Sequence, residues 1–295
     1  MLSRPARYWK MRSSPTSSAR RALEAFRATH KIRTHVVGDH IWDAIESGSG
    51  RNAIVLLPGG GGSSESQFPL ILALEARARV LSIGCPASVT TIEGVLDGLE
   101  RLLDDNDVAT CFLLGHSLGG VFAEAFAIAY PERLDGLILA NTGRYTPPRA
   151  RLVGTALRAA RYLPARAITG FLSSRISRLL HGHPDRRFWL DYFTHDELVR
   201  VGKKGIVNRG LCIEDAILNW SGTGTRTYQG PVLILESDNE TGFTAEERAA
   251  LRRSYPQAIV HTFHGAGHLS SITRCDEFVA EVLRFVHVPL SAPAY

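Results

Sequence analysis

The amino-acid sequence predicts the α/β fold class, with one mostly parallel central sheet flanked by helices and a helical cap inserted between the sixth and seventh core strands. Short apolar runs alternate with helix-like segments from about residue 33, a rhythm typical of parallel strands joined by helices. The rhythm breaks between residues 143 and 228, where the chain is helical in pattern and rich in arginine. We therefore predict a core over 33–142 and 229–288, a cap over 143–228 and a C-terminal tail over 289–295.

The first half of the core contains strand and helix signals in a regular order. Residues 33–37 and 40–47 are predicted to form an antiparallel strand pair. Two apolar runs that follow are predicted as buried strands, at 52–58 and 79–85. Each is followed by a helical pattern, at 64–76 and 90–105. Strands that alternate with helices in this way indicate a sheet covered on both faces.

The second half continues the same alternation on either side of the cap. The predicted strands are 109–116, 134–141, 231–237 and 258–264. The predicted helices are 119–130, 244–255 and 275–286. A chain of 295 residues is long enough for this single domain with its insertion.

Positive charge is concentrated in two segments. Residues 1–33 carry a net charge of +8 and residues 143–187 carry +9, while the whole chain carries only +5, so the remainder carries −12. A nucleic-acid-binding domain would be basic over its whole binding face, so we predict no nucleic-acid partner. The charge pattern indicates an acidic body with two basic attachments.

The N-terminal segment, residues 1–32, is predicted to be basic and flexible because it is rich in arginine and serine and poor in apolar residues. The same composition fits an organellar transit peptide. The four cysteines are scattered and form no CxxC pair, which favours reduced thiols and a cytoplasmic protein. An organellar matrix is the alternative location.

Ser117 is the predicted nucleophile. Residues 115–119 read Gly-His-Ser-Leu-Gly and fall where a predicted strand meets a predicted helix. A turn that sharp strains the serine backbone and leaves no room for side chains at the flanking positions, so glycine is required there. The hydroxyl is then presented at a helix N-terminus, whose dipole favours developing negative charge.

His268 is the predicted base, because a serine hydroxyl is a weak nucleophile until a base takes its proton. It lies in a glycine-containing loop just after the last predicted strand. His264 is still at the strand end, and His116 lies beside the serine with its side chain predicted to point away from the turn. A third residue, an acid, is needed to orient the histidine. We predict it near the end of the strand at 231–237, where the candidates are Glu236, Asp238 and Glu240.

The tetrahedral intermediate of acyl transfer requires backbone N–H donors. Leu118 follows the nucleophile directly and is predicted to supply one. The loop Gly59–Gly62 is predicted to supply the other, because glycines let the main chain approach a ligand closely. A phosphate-binding loop is rejected, since the lysine and hydroxyl residue of a Walker motif are absent.

The chain resembles the α/β-hydrolase superfamily over residues 33–288. The resemblance rests on the segments LLPGGGG, LLGHSLGG, YPERLDGLILAN, PVLILESDNE and FHGAGH. It implies that Gly60 donates its N–H to the oxyanion. It also implies an acid at the register of Glu240, although residue type favours Asp238, which we retain as the alternative acid. The GxSLGG core is similar to that of maspardin-type proteins.

The predicted function is a serine hydrolase that cleaves an ester, thioester or related acyl bond through an acyl-enzyme, with a small-molecule acyl substrate and no cofactor or metal. A lyase, a cyclase, a carbon–carbon bond hydrolase or a non-catalytic interaction protein are the alternatives, because one fold hosts many reactions. His181 and His183 are too few for a metal site.

The predicted cap helix at 151–163 has two interpretations. Its apolar residues recur at helical spacing, at Leu152, Val153, Ala156, Leu157, Ala160 and Leu163. Arg151, Arg158 and Arg161 lie largely off that stripe and form either a solvated face or a docking surface. The partner of such a surface would be an anionic carrier, a CoA thioester or a membrane surface.

Overall fold

The computed structural model of the chain describes residues 18–50, 52–60, 62–180, 183–218 and 226–287. Within these ranges, eight strands form one sheet in the order β1-β2-β4-β3-β5-β6-β7-β8. The strands are β1 (Arg33–Val37), β2 (His40–Ser47), β3 (Ala53–Leu57), β4 (Arg79–Gly84), β5 (Cys111–His116), β6 (Leu134–Ala140), β7 (Val232–Ser237) and β8 (Ile259–Phe263). β2 pairs antiparallel with β1 and with β4, and all other neighbours are parallel. The predicted mostly parallel sheet and its antiparallel strand pair are therefore confirmed.

The helices are α1 (Ser18–Thr29), α2 (Phe68–Leu74), α3 (Ile92–Asp105), α4 (Leu118–Ala129), α5 (Pro147–Ala160), α6 (Ala165–Leu179), α7 (Arg186–Asp191), α8 (Leu198–Leu218), α9 (Ala245–Ser254), α10 (Ser270–Thr273) and α11 (Cys275–His287). Short 3₁₀ turns cover Ser64–Gln67, Pro131–Arg133 and Gly267–Leu269. A π-helical turn, Tyr192–Glu197, joins α7 to α8. α8 is kinked at Gly202, which has a φ of 66°.

Alternate residues of the central strands enter two apolar clusters, one on each face of the sheet. Val55, Leu113 and Leu137 belong to the cluster that also contains buried residues of α3, α4 and α8. Ile54 and Leu114 belong to the cluster that contains buried residues of α1, α2 and α11. All residues of β3, β5 and β7 are buried. This explains why each of these strands contains an unbroken apolar run rather than an alternation of apolar and polar residues.

The inserted helices α5–α8 lie between β6 and β7. α5 packs against α8 at Gly154, where an added Cβ would lie 2.2 Å from the Glu214 carboxylate, and Ala150 of α5 is also buried. Arg158 forms an ion pair with the same Glu214. Leu152 and Leu163 of the apolar stripe are instead 69% and 49% exposed. The stripe is therefore not the face that α5 buries.

The prediction of a flexible segment over residues 1–32 is wrong for residues 18–29, which form α1. Leu23 and Phe26, three residues apart on one face of the helix, are buried. Phe26 contacts Phe68 of α2, and Arg27 binds the buried Glu65 carboxylate with both Nε and Nη2. The segment is basic, but its few apolar residues have the spacing of an amphipathic helix.

Some predictions concern residues outside the described ranges. These are residues 1–17, the tail at 289–295, and His181 of the histidine pair that was considered as a metal site. Among the helices that the structure describes, none is both long and apolar enough to span a bilayer.

Candidate active site

Ser117 lies on a strained turn between β5 and α4. Its φ of 54° is in the left-handed region, which a residue with a side chain rarely adopts. A Cβ at Gly115 would lie 2.2 Å from the carbonyl oxygen of Gly119, and one at Gly119 would lie 2.2 Å from that of Leu57. Both flanking glycines are therefore sterically required. The Ser117 carbonyl accepts a hydrogen bond of 2.9 Å from the Thr142 hydroxyl, which helps to fix the turn.

His268 contacts Ser117 directly. Its Nε2 lies 2.9 Å from Ser117 Oγ, across 151 residues of sequence. His268 belongs to the 3₁₀ turn after β8, and Gly265 and Gly267 before it have φ values of 68° and 66°. These left-handed conformations favour glycine and direct the loop back over the sheet. The structure thus brings together the predicted nucleophile and the predicted base.

Glu240 is the carboxylate that contacts His268. Its Oε1 lies 2.7 Å from His268 Nδ1, so that ring nitrogen carries a proton and donates it. Oε1 also accepts the Gly242 N–H at 2.5 Å, and Oε2 accepts the Asn141 amide at 2.9 Å. Burial alone would raise the pKa of Glu240, but the hydrogen bond and charge of His268 and the two further donors lower it to about 2. The carboxylate is therefore ionised and can stabilise an imidazolium.

The alternative acid, Asp238, forms a separate pair. Its Oδ2 lies 3.0 Å from His264 Nδ1, and its Oδ1 accepts the Gly265 N–H at 2.9 Å. The Gly265 N–H and the His264 side chain lower the pKa of this carboxyl. Glu236, the third candidate, is buried and forms an ion pair with Arg252. Neither Asp238 nor Glu236 contacts His268.

The two predicted oxyanion donors lie next to each other. A Cβ at Gly60 would be 3.3 Å from Leu118 Cδ2, so the glycine loop passes over the N-terminus of α4. The Gly62 N–H donates to the Gly59 carbonyl at 3.0 Å and thereby orients the peptide that carries the Gly60 N–H. Neither the Gly60 N–H nor the Leu118 N–H donates to another residue within the described part of the chain. Both remain available to a ligand beside Ser117.

Arg209 of α8 holds the glycine loop and was missed by the sequence analysis. Its Nη1 donates to the carbonyls of Gly60 and Gly62, each at 3.0 Å, and its Nη2 donates to the Cys85 carbonyl at 2.8 Å. The side chain is buried, with the residue only 6% exposed. Hydrogen bonds from a cation are stronger than those from a neutral donor. No sequence signal distinguished this arginine from the others of the inserted segment.

Asn141 and His116 also fix the geometry of the site; the sequence analysis set His116 aside and did not identify Asn141. Asn141 is fully buried, and its amide donates to Glu240 and to the Gly267 carbonyl at 3.1 Å. Its φ of 43° is a conformation that asparagine tolerates, and an asparagine directly after a strand is the sequence signal that could have marked it. His116 donates from Nε2 to the His268 carbonyl at 2.8 Å. Burial, with the nearby His268, lowers the pKa of His116 to about 4, so it remains neutral.

A cavity of about 370 Å³ opens at Ser117 and His268. Most of its remaining lining is apolar and comes from the inserted helices and from the segment after His268, including Leu172, Ile176, Leu179, Phe193, Ile206, Ile213, Leu269 and Ile272. Arg175 and Arg209 are its cationic lining residues among those described. The inserted helices therefore form one wall of the site.

The described residues contain no cluster of three His, Cys, Asp or Glu side chains that could hold a metal ion.

The fold and the serine turn are features of one class of protein. The model of the alpha/beta hydrolase family matches residues 54–282 of the chain. This match spans most of the chain, so the chain belongs to the alpha/beta hydrolase family, and the predicted fold class is confirmed. A hydrolase from Pseudomonas aeruginosa PA01 has a similar crystal structure, with a TM-score of 0.75 and 19% sequence identity over 88% of this chain and 99% of that one.

Two relatives are enzymes of different activity, and a third is maspardin. A poly(3-hydroxyalkanoate) depolymerase of Ectopseudomonas oleovorans is 27% identical over 79% of this chain and 83% of its own length. A 2-hydroxy-6-oxononadienedioate/2-hydroxy-6-oxononatrienedioate hydrolase of Burkholderia vietnamiensis is 24% identical over 82% and 89% of the two chains. Maspardin of Danio rerio is 34% identical over 40% of each chain, which confirms the predicted similarity. The two enzymes support the predicted hydrolase class.

Proposed function

We propose that this protein is a serine hydrolase that cleaves an ester or thioester bond through an acyl-enzyme. The observation that carries the proposal is the continuous hydrogen-bonded series Ser117 Oγ to His268 Nε2 and His268 Nδ1 to Glu240 Oε1, at 2.9 and 2.7 Å. Both distances are within the range required for a nucleophile, its base and the group that orients the base. The glycine loop over Ser117 supports the same chemistry.

In the first half-reaction, Ser117 Oγ attacks the carbonyl carbon of the substrate while His268 Nε2 accepts the hydroxyl proton. The ionised Glu240 stabilises the imidazolium and keeps the Nδ1 proton in place. The carbonyl oxygen becomes an oxyanion, which the Gly60 and Leu118 N–H groups bind. When the tetrahedral intermediate collapses, His268 returns the proton to the leaving alcohol or thiol, and the acyl group remains on Ser117.

In the second half-reaction, water attacks the acyl carbon and His268 Nε2 accepts its proton. The second oxyanion occupies the same two N–H donors. Collapse breaks the bond to Ser117 Oγ, which regains its proton from His268, and the carboxylic acid leaves. Water enters through the cavity mouth, and no cofactor takes part in any step.

The substrate class follows from the cavity beside Ser117. A volume of about 370 Å³ with a mostly apolar lining fits an acyl group with an extended hydrocarbon part. The similarity to a poly(3-hydroxyalkanoate) depolymerase supports an ester substrate. Arg209 supports the reaction indirectly, as a positioning residue, because it holds the loop that carries the Gly60 donor.

Carbon–carbon bond hydrolysis is the second candidate, and the observation that favours it is the similarity to the Burkholderia vietnamiensis hydrolase. That reaction on this site would require a ketone substrate in place of an ester. A turnover assay with both substrate classes separates the two candidates.

The test is labelling with a fluorophosphonate, followed by hydrolysis assays with p-nitrophenyl esters of increasing acyl length. We expect Ser117→Ala to abolish labelling and to lower kcat by roughly six orders of magnitude. Ser271→Ala is the matched control, because Ser271 is another serine that lines the same cavity. Labelling that survives in Ser117→Ala, or disappears equally in Ser271→Ala, would refute the proposal. Turnover of ketone substrates alone would favour the carbon–carbon hydrolase.

A further inference from the structure

The inserted helices leave a group of large apolar side chains in water. Leu152, Tyr162, Leu163 and Phe171 are 69%, 76%, 49% and 61% exposed. They lie on α5, on α6 and on the turn between these helices, and we call them the α5–α6 surface. The other large apolar side chains that are exposed in the described ranges lie elsewhere, several of them on the edge strands β1 and β8. A concentration of exposed apolar residues on consecutive elements marks an interaction surface.

Arginines without a carboxylate partner accompany this surface. The inserted segment 143–187 contains ten arginines, and Arg144, Arg149 and Arg158 form ion pairs with glutamates. The other seven form no ion pair within the described part of the chain: Arg151, Arg161, Arg166, Arg175, Arg178, Arg186, which donates to Ser177, and Arg187. Their charge is therefore available to an anionic partner.

The α6 part of the α5–α6 surface adjoins the mouth of the cavity. Phe171, Arg175 and Arg178 follow one another at the i, i+4 and i+7 positions of α6, so they share one face of the helix. The neighbouring row of the same helix lines the cavity and consists of Leu172, Ile176 and Leu179. Arg175 is exposed and also lines the cavity. The cavity therefore reaches solvent beside the face that carries Phe171.

We propose that the α5–α6 surface docks on a membrane that contains anionic lipids, and that the acyl substrate enters the cavity from the lipid layer. Apolar side chains inserted at the level of the headgroups, together with arginines bound to lipid phosphates, are the two interactions that hold a peripheral protein on a bilayer. A soluble anionic carrier or a CoA thioester would engage the arginines and leave Leu152 and Phe171 in water. The combination of apolar and cationic groups favours the membrane.

The docking step is independent of the chemistry at Ser117, and only the entry of the acyl substrate rests on the proposed function. The two can therefore fail separately. Ser117→Ala should bind vesicles as the unmodified protein does. Loss of fluorophosphonate labelling has no bearing on vesicle binding, and absence of vesicle binding has no bearing on labelling.

The experiment is co-sedimentation of the full chain with vesicles of phosphatidylcholine, alone or mixed with phosphatidylglycerol. We expect binding to the mixed vesicles that weakens as salt rises, because exposed charges are screened. Two variants remove the proposed interactions: Leu152→Ser with Phe171→Ser, and Arg151→Gln with Arg166→Gln and Arg178→Gln. Each should lower the partition coefficient roughly tenfold or more.

Matched controls change equivalent residues elsewhere on the surface. Val36→Ser with Ile259→Ser replaces apolar side chains that are 72% and 53% exposed on the edge strands. Arg77→Gln with Arg226→Gln and Arg253→Gln removes three exposed arginines that lie outside residues 143–187 and form no ion pair in the described part of the chain. Both controls should bind vesicles within about twofold of the unmodified protein, since they leave the surface intact.

Activity assays complete the test. Hydrolysis of a short soluble ester should be unchanged in the two surface variants, whereas hydrolysis of an ester embedded in mixed vesicles should fall with binding. Absence of binding to mixed vesicles, equal binding to neutral vesicles, or equal losses in surface variants and controls would overturn the proposal. It would also be overturned if only hydrolysis of a soluble CoA thioester depended on the three arginines.

Discussion

Two carboxylate–histidine pairs lie on the loops that follow β7 and β8, and only one of them reaches Ser117. In the pair Asp238–His264, the side chains are 46% and 88% exposed. In the pair Glu240–His268, they are 0% and 12% exposed. The N–O distances are similar, at 3.0 and 2.7 Å. Equivalent chemical groups with equivalent local geometry thus have very different surroundings.

This difference indicates why a hydrogen bond between an acid and a histidine does not by itself define a catalytic pair. Water competes with the exposed Asp238–His264 pair and screens its charges, so its contribution is small. The buried Glu240 accepts hydrogen bonds from His268, Gly242 and Asn141, which fix one orientation of the carboxylate. An imidazolium formed at His268 is therefore stabilised without reorganisation of water.

The largest expected effect on kcat is found when the two histidines are replaced in turn. His268→Ala should lower kcat by roughly five to six orders of magnitude, because the serine, its base and the acid act as one unit. His264→Ala should leave kcat within about threefold of the unmodified protein, since surface substitutions have small effects. Steady-state hydrolysis of a soluble ester measures both. A crippled His264→Ala with an active His268→Ala would reverse the assignment of the base.

The next largest effect on kcat is expected when each of the two acids is replaced by its amide, which preserves the shape of the side chain. Glu240→Gln should lower kcat by roughly three to four orders of magnitude, because the amide removes the charge that stabilises the imidazolium. Asp238→Asn should change kcat by about threefold or less, as for other exposed positions. The same ester assay applies, with circular dichroism to show that each variant is folded. Equally small losses in both would remove Glu240 from the mechanism.

The smallest effect concerns stability at acid pH. The pKa of Glu240 lies at about 2 in the folded protein, below its ordinary value of 4.5. The ionised carboxylate therefore stabilises the fold fully above pH 4.5, and this contribution, about 3 kcal/mol at most, is lost as the pH falls towards 2. Glu240→Gln should flatten the dependence of the free energy of unfolding on pH in this window.

Asp238→Asn is the control for the pH measurement. The pKa of Asp238 is also lowered, by the Gly265 N–H and the His264 side chain, so the direction of its contribution is the same. Its exposure makes that contribution small. Urea unfolding between pH 6 and pH 3, at intervals, measures both variants. Parallel pH curves for Glu240→Gln and the unmodified protein would mean that Glu240 is not held ionised in the fold.

Features encoded by neighbouring residues were predictable. A short apolar run is stable only as a buried strand, and an amphipathic pattern indicates a helix. The order of strands and helices can therefore be predicted from local patterns. The steric requirement at Gly115 and Gly119 is also local, which is why Ser117 stands out in the sequence. The position of His268, in a glycine-containing loop after the last strand, is visible in the same way.

The sequence patterns gave wrong predictions for two helices, α5 and α1. On α5 the apolar stripe is the natural candidate for burial, yet the packed face contains Ala150 and Gly154, because small residues let α5 approach α8 closely. In the N-terminal segment, overall charge obscured the spacing of Leu23 and Phe26. Both cases reflect a tertiary partner that determines which face of a helix is buried.

The sequence by itself therefore determined the fold class, the serine on the strained turn and the histidine that contacts it, because these depend on periodicity and on sterics within a few residues. The tertiary structure alone decided which carboxylate meets His268, since Glu240 and Asp238 are two residues apart and differ only in where their loop directs them. It also decided that Arg209 binds Gly60, 149 residues away. Such contacts form only when distant segments pack together and exclude water, and no local pattern records them.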